Sequence, residues 1–180
     1  MKLALITFAS TVGVILIGLC MVMGSRNGAI SLEEEVNTAK SAIDVHLTTR
    51  FNKLHELAGC VRKYDAHEAQ TLEKVIAARG KNMSGREAKE VMLQVAAVAE
   101  QYPDLKSQKN YQHLMNDISI TENHLAQAKK ACNESIRDYR YHCRKFPTSL
   151  FLDLTGYRVV RFDMYEADQS VKDAKPLELF

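Results

Sequence analysis

SQKNYQHLMNDISITENHLAQAKKACNESIRDYRYHCRK, Ser107 to Lys145, is the stretch that decides the fold. Its candidate core slots are Tyr111, Leu114, Ile118, Thr121, Leu125, Ala128, Cys132, Ser135, Tyr139, His142 and Phe146. The gaps alternate between three and four without a break, which is the heptad spacing of a seam between packed helices. No proline interrupts the run, and Pro147 stops it. A helix of this length cannot hide its apolar stripe alone, so the spacing predicts partners lying beside it.

Those partners are legible upstream. Arg86 to Tyr102 carries Ala88, Val91, Val95, Val98 and Tyr102 on one side, and Pro103 forces an end because the residue before a proline avoids the helical region. Gly80 to Gly85 is a polar turn, and Ser84 with Glu87 forms a capping box. From Ser31 to Arg79 there is no proline and one glycine, Gly59. Leu32, Val36, Ala39, Ile43, Leu47, Leu54, Leu57, Val61, Tyr64, Leu72 and Val75 recur at helical spacing, so one long helix is expected, with a bend near Gly59 allowed. Ser31 and Glu34 match the capping-box pattern and would open that helix. Gly24 to Ile30 then reads as a linker.

Ahead of it, Leu3 to Met23 holds no charged residue. At 1.5 Å per residue the run is about 31 Å long, enough for a hydrocarbon core of ~30 Å. A cleaved signal peptide has a shorter apolar core and a small-x-small site, which are missing here. Cys20 raises a lipoprotein signal, but Leu19 before it and Ile17 three before it fit poorly. An uncleaved anchor is the expectation. Gly13, Gly18 and Gly24 do not form a Gly-xxx-Gly motif.

Composition agrees with helices. The chain has 180 residues, 3 prolines, 8 glycines and no tryptophan, too few turn-formers for a β-rich protein. With 24 basic against 22 acidic residues there is no charge footprint for nucleic acid. Three cysteines follow the anchor without Cys-x-x-Cys spacing and read as small apolar filler. No phosphate loop, Gly-x-Ser-x-Gly or Glu-x-x-His occurs, and His67-Glu68 lacks the second histidine of a zinc helix because Thr71 stands there. The polar residues Glu122 and Asn123 beside the seam are expected to bridge to Arg50 or His67. Asp104, with Ser107 competing, is expected to cap the last long helix.

The expected architecture is all-α: an anchor at 1–24, a linker at 25–30, an elongated antiparallel up-and-down bundle of three to four helices at 31–156, and an acidic, loosely ordered tail at 157–180. Ser149 to Gly156 would add one or two turns.

Val95-Ala96-Ala97-Val98-Ala99-Glu100-Gln101-Tyr102-Pro103-Asp104-Leu105-Lys106 resembles the signature of the LemA family. Ile43-Asp44-Val45 with Leu47 and Arg50 is similar to its first-helix motif. Ala66-His67-Glu68, Thr71-Leu72-Glu73 and Ala78-Arg79 resemble the continuation. Thr121-Glu122-Asn123 with Ala126 and Ala128, then Asn133, Tyr139, Phe146 and Pro147, also match. The resemblance implies one N-terminal transmembrane helix and a helical bundle, usually on the cytoplasmic side of a bacterial membrane. It implies no cofactor and no catalytic residue, and a magnetosome branch favours a scaffolding role. Two departures are His55, where the family commonly has proline, and a short turn at Gly80 to Gly85.

The function expected is therefore a membrane-anchored, non-enzymatic scaffold or interaction module, with the bilayer and a membrane-associated protein as partners and a homo-oligomer left open. Arg50, His67, Glu68, Tyr102, Pro103, Asp104, Glu122, Asn123 and Tyr139 are its candidate structural or recognition residues. One alternative is a metal- or thiol-dependent enzyme using His67, Glu68, His124 and the cysteines, which requires those groups to converge. Another is a lipoprotein processed at Cys20.

Overall fold

The computed structural model describes residues 2–166, and these contain six helices and no strand. They are α1 (Lys2–Val61), α2 (Ala66–Arg79), α3 (Gly85–Gln101), the short α4 (Pro103–Ser107), α5 (Lys109–Arg144) and α6 (Thr148–Leu154). The chain forms two compact units. Unit 1 joins Met1–Lys40 to Ala131–Met164, and unit 2 is built on Ser41–Lys130.

Unit 2 is the up-and-down bundle. The chain climbs α1 to Val61 and reverses through residues 62–65. It then descends α2, so that Lys81 Nζ reaches Asp44 Oδ1 at 2.8 Å. It climbs again along α3, bringing Tyr102 beside Tyr64 with ring centroids 6.0 Å apart. Finally it descends α5, where Asn110 lies against Cys60, Lys53 against Asp117 and Arg50 against Glu122. Leu54, Leu57, Val61, Leu72, Ile76, Val91, Val95, Leu114 and Ile118 fill the centre. The Gly80 turn is formed as expected, with Gly80 at φ 66° as the cap of α2. Ser84 and Glu87 close a reciprocal capping box on α3.

The long first helix departs from expectation at both ends. It passes Gly59 without interruption and stops at Val61, so Ser31 to Arg79 is a hairpin of two helices instead of one rod. Asp65 makes the reversal, its carboxylate accepting from the backbone N–H groups of His67 and Glu68 at 3.0 Å each. At the other end, the expected linker is helical: α1 runs through residues 25–30, and Ser31 opens nothing.

Unit 1 explains that continuity. The end of α5 lies antiparallel to α1, with Ser135 Oγ donating to Glu35 at 3.2 Å and His142 Nε2 3.0 Å from the Ser25 carbonyl oxygen. Gly28 and Ala29 keep the helix surface thin where α5 approaches. A Cβ on Gly28 would stand 2.8 Å from the His142 ring. These residues serve close packing, and packing outweighs the turn preference of Gly-Ser-Arg-Asn-Gly.

Along α5 the seam is buried at Tyr111, Leu114, Ile118, Thr121, Leu125, Cys132, Ser135 and Tyr139. It ends differently from the heptad: Cys143 takes the last buried place and Phe146, beyond the helix, faces solvent. The helix has already finished at Arg144 ahead of Pro147, so the register no longer governs Phe146. Residues 157–166 have no regular structure, yet the first of them are tied down instead of loose: Tyr157 is hydrogen-bonded and Phe162 is buried. The acidic stretch from Asp168 to Glu178 lies outside the described residues.

Candidate functional site

Two polar clusters stand inside the helical packing, one in each unit. In unit 2, Arg50 occupies the slot between Leu47 and Leu54 in the apolar stripe of α1. It is 1% exposed. Its Nη1 donates to Glu122 Oε1 at 3.0 Å and Oε2 at 3.3 Å, and Nη2 donates to the carbonyl oxygen of Met83 in the α2–α3 turn. One guanidinium thus ties α1, α5 and that turn together. Thr121 fills the α5 seam slot beside Glu122 and turns its hydroxyl to the Asp117 carbonyl at 2.7 Å. Arg50 Nε is the buried side-chain nitrogen without a partner among the described residues. Lys53 donates to Asp117 at 2.8 Å on the edge of this layer, and that bond holds the Asp117 carboxyl below its ordinary range.

In unit 1, Tyr139 is fully buried on α5. Its hydroxyl accepts from the Val160 backbone N–H at 3.0 Å and lies 3.2 Å from the Tyr157 hydroxyl. Tyr157 donates to Glu33 Oε2 on α1 at 2.5 Å. With the Tyr157 hydrogen committed to Glu33, Tyr139 is left to donate the bond between the two hydroxyls. Burial raises the pKa of both phenols, and for Tyr157 the bond to Glu33 adds to it, since a neutral phenol is the better donor to a carboxylate. Phe162 packs edge-on against Tyr139 at 5.4 Å, with the Lys40 ammonium 4.5 Å from the Phe162 ring centre.

The sequence-derived candidates divide accordingly. Arg50 and Glu122 meet as expected, and Tyr139 anchors the second cluster. His67 does not join the network. It sits exposed in the first turn of α2 beside exposed Glu68, and both use their backbone N–H groups to take the Asp65 cap. Asn123 also faces solvent, because only every third or fourth residue of α5 can face the seam. Tyr102 caps the end of α3 and packs on the core, and Pro103 opens α4. Asp104 is an exposed first-turn residue of α4, not a cap of the long helix, and Ser107 turns its hydroxyl back to the Asp104 carbonyl oxygen at 3.1 Å. The short α4 was not foreseen, and it takes up the residues that would otherwise have capped α5.

Convergence of a metal or thiol centre is not seen. Among the described residues no three of His, Cys, Asp and Glu lie close enough to hold an ion. His124 pairs its ring with His46 at 5.8 Å, away from the cap formed at His67 and Glu68. Burial raises the thiols of Cys60, Cys132 and Cys143 above their ordinary pKa, which keeps them protonated and poor nucleophiles.

Sequence reasoning missed Asp65, Gly28, Tyr157 and Glu33. The Asp65-x-x-Glu68 spacing is the same signal used at Ser84, and it marks the start of α2. Nothing in the local sequence announces Tyr157 and Glu33 as a pair, since 124 positions separate them.

Taken together, an all-helical body, a long apolar N-terminal helix and buried polar ties at Arg50 and Tyr139 define a helical-bundle protein and fit one that is membrane-associated. The chain belongs to the LemA family, whose sequence model matches residues 39–177. It is also similar to the magnetosome protein MamQ of Magnetospirillum gryphiswaldense, 29% identical over 66 residues. That match takes in 37% of this chain and 24% of the relative, so the chain spans about a quarter of the length of that protein.

Proposed function

We propose that this chain is a single-pass membrane protein whose N-terminal helix crosses the bilayer and carries a non-enzymatic helical bundle, a platform for a membrane-associated protein partner. The observation that carries the reading is the state of α1. Its most apolar 18-residue window has a mean hydropathy of 2.0 and none of that window is buried. Phe8, Val14, Ile15, Ile17 and Met23 all face outward. In water such a surface is costly, and in lipid it is satisfied, as is the helical backbone. The same helix, α1, continues without a break from this apolar stretch to Val61. Similarity to a magnetosome protein supports a membrane-associated role. The buried ties at Arg50 and Tyr139 act as braces, keeping the bundle in one register while its outer faces remain for a partner. In this reading the body lies on the cytoplasmic side, as the family resemblance implies.

The test has two arms. Full-length protein should stay with membranes through an alkaline carbonate wash, leave them in detergent, and keep residues 1–19 by intact mass. Release by carbonate removes the anchor, and a mass that begins at Cys20 points to a lipoprotein instead. Photo-crosslinkers at exposed Val45 and Leu93 should recover a reproducible membrane-associated protein in cells, and recovery of none would count against the platform.

A further inference from the structure

The end of α5 packs on α1 just beyond the apolar run. His142 reaches the Ser25 carbonyl oxygen, and Ser25 is two residues past Met23, about 3 Å along the helix axis. The polar headgroup layer on each side of a bilayer is roughly 5–8 Å deep. If the N-terminal helix spans the membrane, as proposed above, Arg26 and the end of α5 with Arg144, Lys145 and Phe146 therefore sit at headgroup depth, whereas Tyr157 and Phe162 meet α1 at Glu33 and Lys40, about 15 and 25 Å past Met23.

Two features gather there. Arg26, Arg140, Arg144 and Lys145 belong to this end, with Asp138, paired to Arg137, as the acid nearest to them in sequence; Arg158 and Arg161 follow further from the span, with Asp153 and Asp163 nearby in sequence. Arg140, Arg144 and Arg161 line one groove of about 550 Å³ together with Cys143, Phe162 and Asp163. Arg140 donates to the Phe162 carbonyl oxygen. Arg26, Arg144, Lys145, Arg158 and Arg161 are exposed and form no ion pair among the described residues. Beside them, Phe146 is 83% exposed, Leu150 58% and Leu154 76%. Leu150 and Leu154 share one face of α6, whose other side buries Thr148 and Leu152.

We propose that this end of unit 1 is a second membrane contact: α6 and Phe146 enter the interface of the membrane that the anchor crosses, and the basic residues Arg26, Arg144 and Lys145 bind its anionic phospholipid headgroups. The apolar side chains have no protein cover, and the adjoining charge is of the sign that acidic lipids attract. Continuity with the apolar span argues for this occupant over a soluble one. The contact would fix the tilt of α1 against the bilayer normal, which the length of its apolar run alone leaves open.

The chain has no tryptophan, so one can be introduced as the only indole. Full-length Leu150→Trp, with Leu154→Trp as a second placement, is reconstituted in nanodiscs of chain-brominated phosphatidylcholine with or without phosphatidylglycerol. Ile15→Trp reports on the anchor, and Leu93→Trp on a face of unit 2. The proposal expects quenching of Leu150→Trp that grows with phosphatidylglycerol, with Leu93→Trp unquenched throughout. Replacing Arg144 or Lys145 by Gln should lower its docked-to-undocked ratio by about fivefold each. If Ile15→Trp is quenched while both α6 probes match Leu93→Trp, the second contact is overturned and the anchor stands. Blue-shifted but unquenched α6 emission means a protein occupant, and quenching indifferent to phosphatidylglycerol removes the headgroup role. An unquenched Ile15→Trp defeats the anchor reading itself.

Discussion

Arg50 stands in an apolar slot of α1 and is held by Glu122 of α5 at 3.0 Å, so a charge occupies a place that the helical period reserves for a hydrophobe. The pair is unequal, since Glu122 remains 30% exposed. Removing Glu122 strands a guanidinium that cannot reach water, whereas removing Arg50 leaves a carboxylate that can. Glu122→Ala should therefore destabilise by about 3 kcal/mol, and Arg50→Leu with Glu122→Ala should recover most of it. Arg50→Lys should behave like a loss, because one ammonium cannot hold both Glu122 and the Met83 carbonyl oxygen. Denaturant unfolding in detergent measures all three. A double variant no better than Glu122→Ala would contradict the account.

Gly28 and His142 form the corresponding close approach of unit 1. Alanine at residue 28 gains ~1 kcal/mol of helix propensity but pushes the imidazole off the Ser25 carbonyl oxygen, a loss of about the same size. Gly28→Ala alone should be near neutral. On a His142→Ala background the clash is gone, and the same change should stabilise by ~1 kcal/mol. Gly59 meets nothing within 4 Å, so Gly59→Ala should show that gain unaided. Melting temperatures of the wild type, the two single variants and the double variant at residues 28 and 142 close the cycle, and strictly additive effects there would argue against the contact.

Much of this arrangement could be read in advance, and the failures have physical reasons. The α5 heptad located its buried face because core packing repeats with the helix period. Arg50 falls on the same period in α1, yet a search for apolar residues steps over it; the vacancy between Leu47 and Leu54 was the visible sign. The reversal at residues 62–65 contains no glycine or proline and was lost inside a continuous stripe, because α2 resumes the same spacing after turning round. Gly28 was misread since a glycine that opens a turn and one that admits a neighbouring ring look alike until the neighbour is known. Tyr157 depends on a residue of α1 that no local pattern connects to it.

Asp65 makes a point about that reversal. Its carboxylate satisfies two amides that α2 would otherwise leave open. Asp65→Ala should cost about 1 kcal/mol, and Asp65→Asn or Asp65→Ser should restore most of it. Hydrogen exchange should show the loss as faster opening of the amides of His67 and Glu68, with α5 unchanged. Equal acceleration along the whole chain would mean that the cap matters only through global stability.

The phenols and thiols of unit 1 set its behaviour in alkali. Burial raises the pKa of Tyr139, Tyr157, Cys132 and Cys143 in the folded chain. The unfolded chain then releases protons that the folded one retains. The associated stability is complete below the unfolded values, roughly pH 9 for the thiols and 10 for the phenols, and is lost as pH rises through the folded ones. Melting temperature in detergent should therefore hold level to about pH 9 and fall beyond it. Tyr157→Phe should melt lower at neutral pH, since it forfeits the bond to Glu33, worth about 1 kcal/mol at this partly exposed position. It should also decline less steeply above pH 10, since one raised phenol is gone. Cys132→Ala should soften the onset near pH 9 and leave the later fall in place. If the wild type and Tyr157→Phe decline in parallel from neutral pH to 11, Tyr157 does not carry the alkaline sensitivity, and if they also melt together at neutral pH, its bond to Glu33 does not brace this unit.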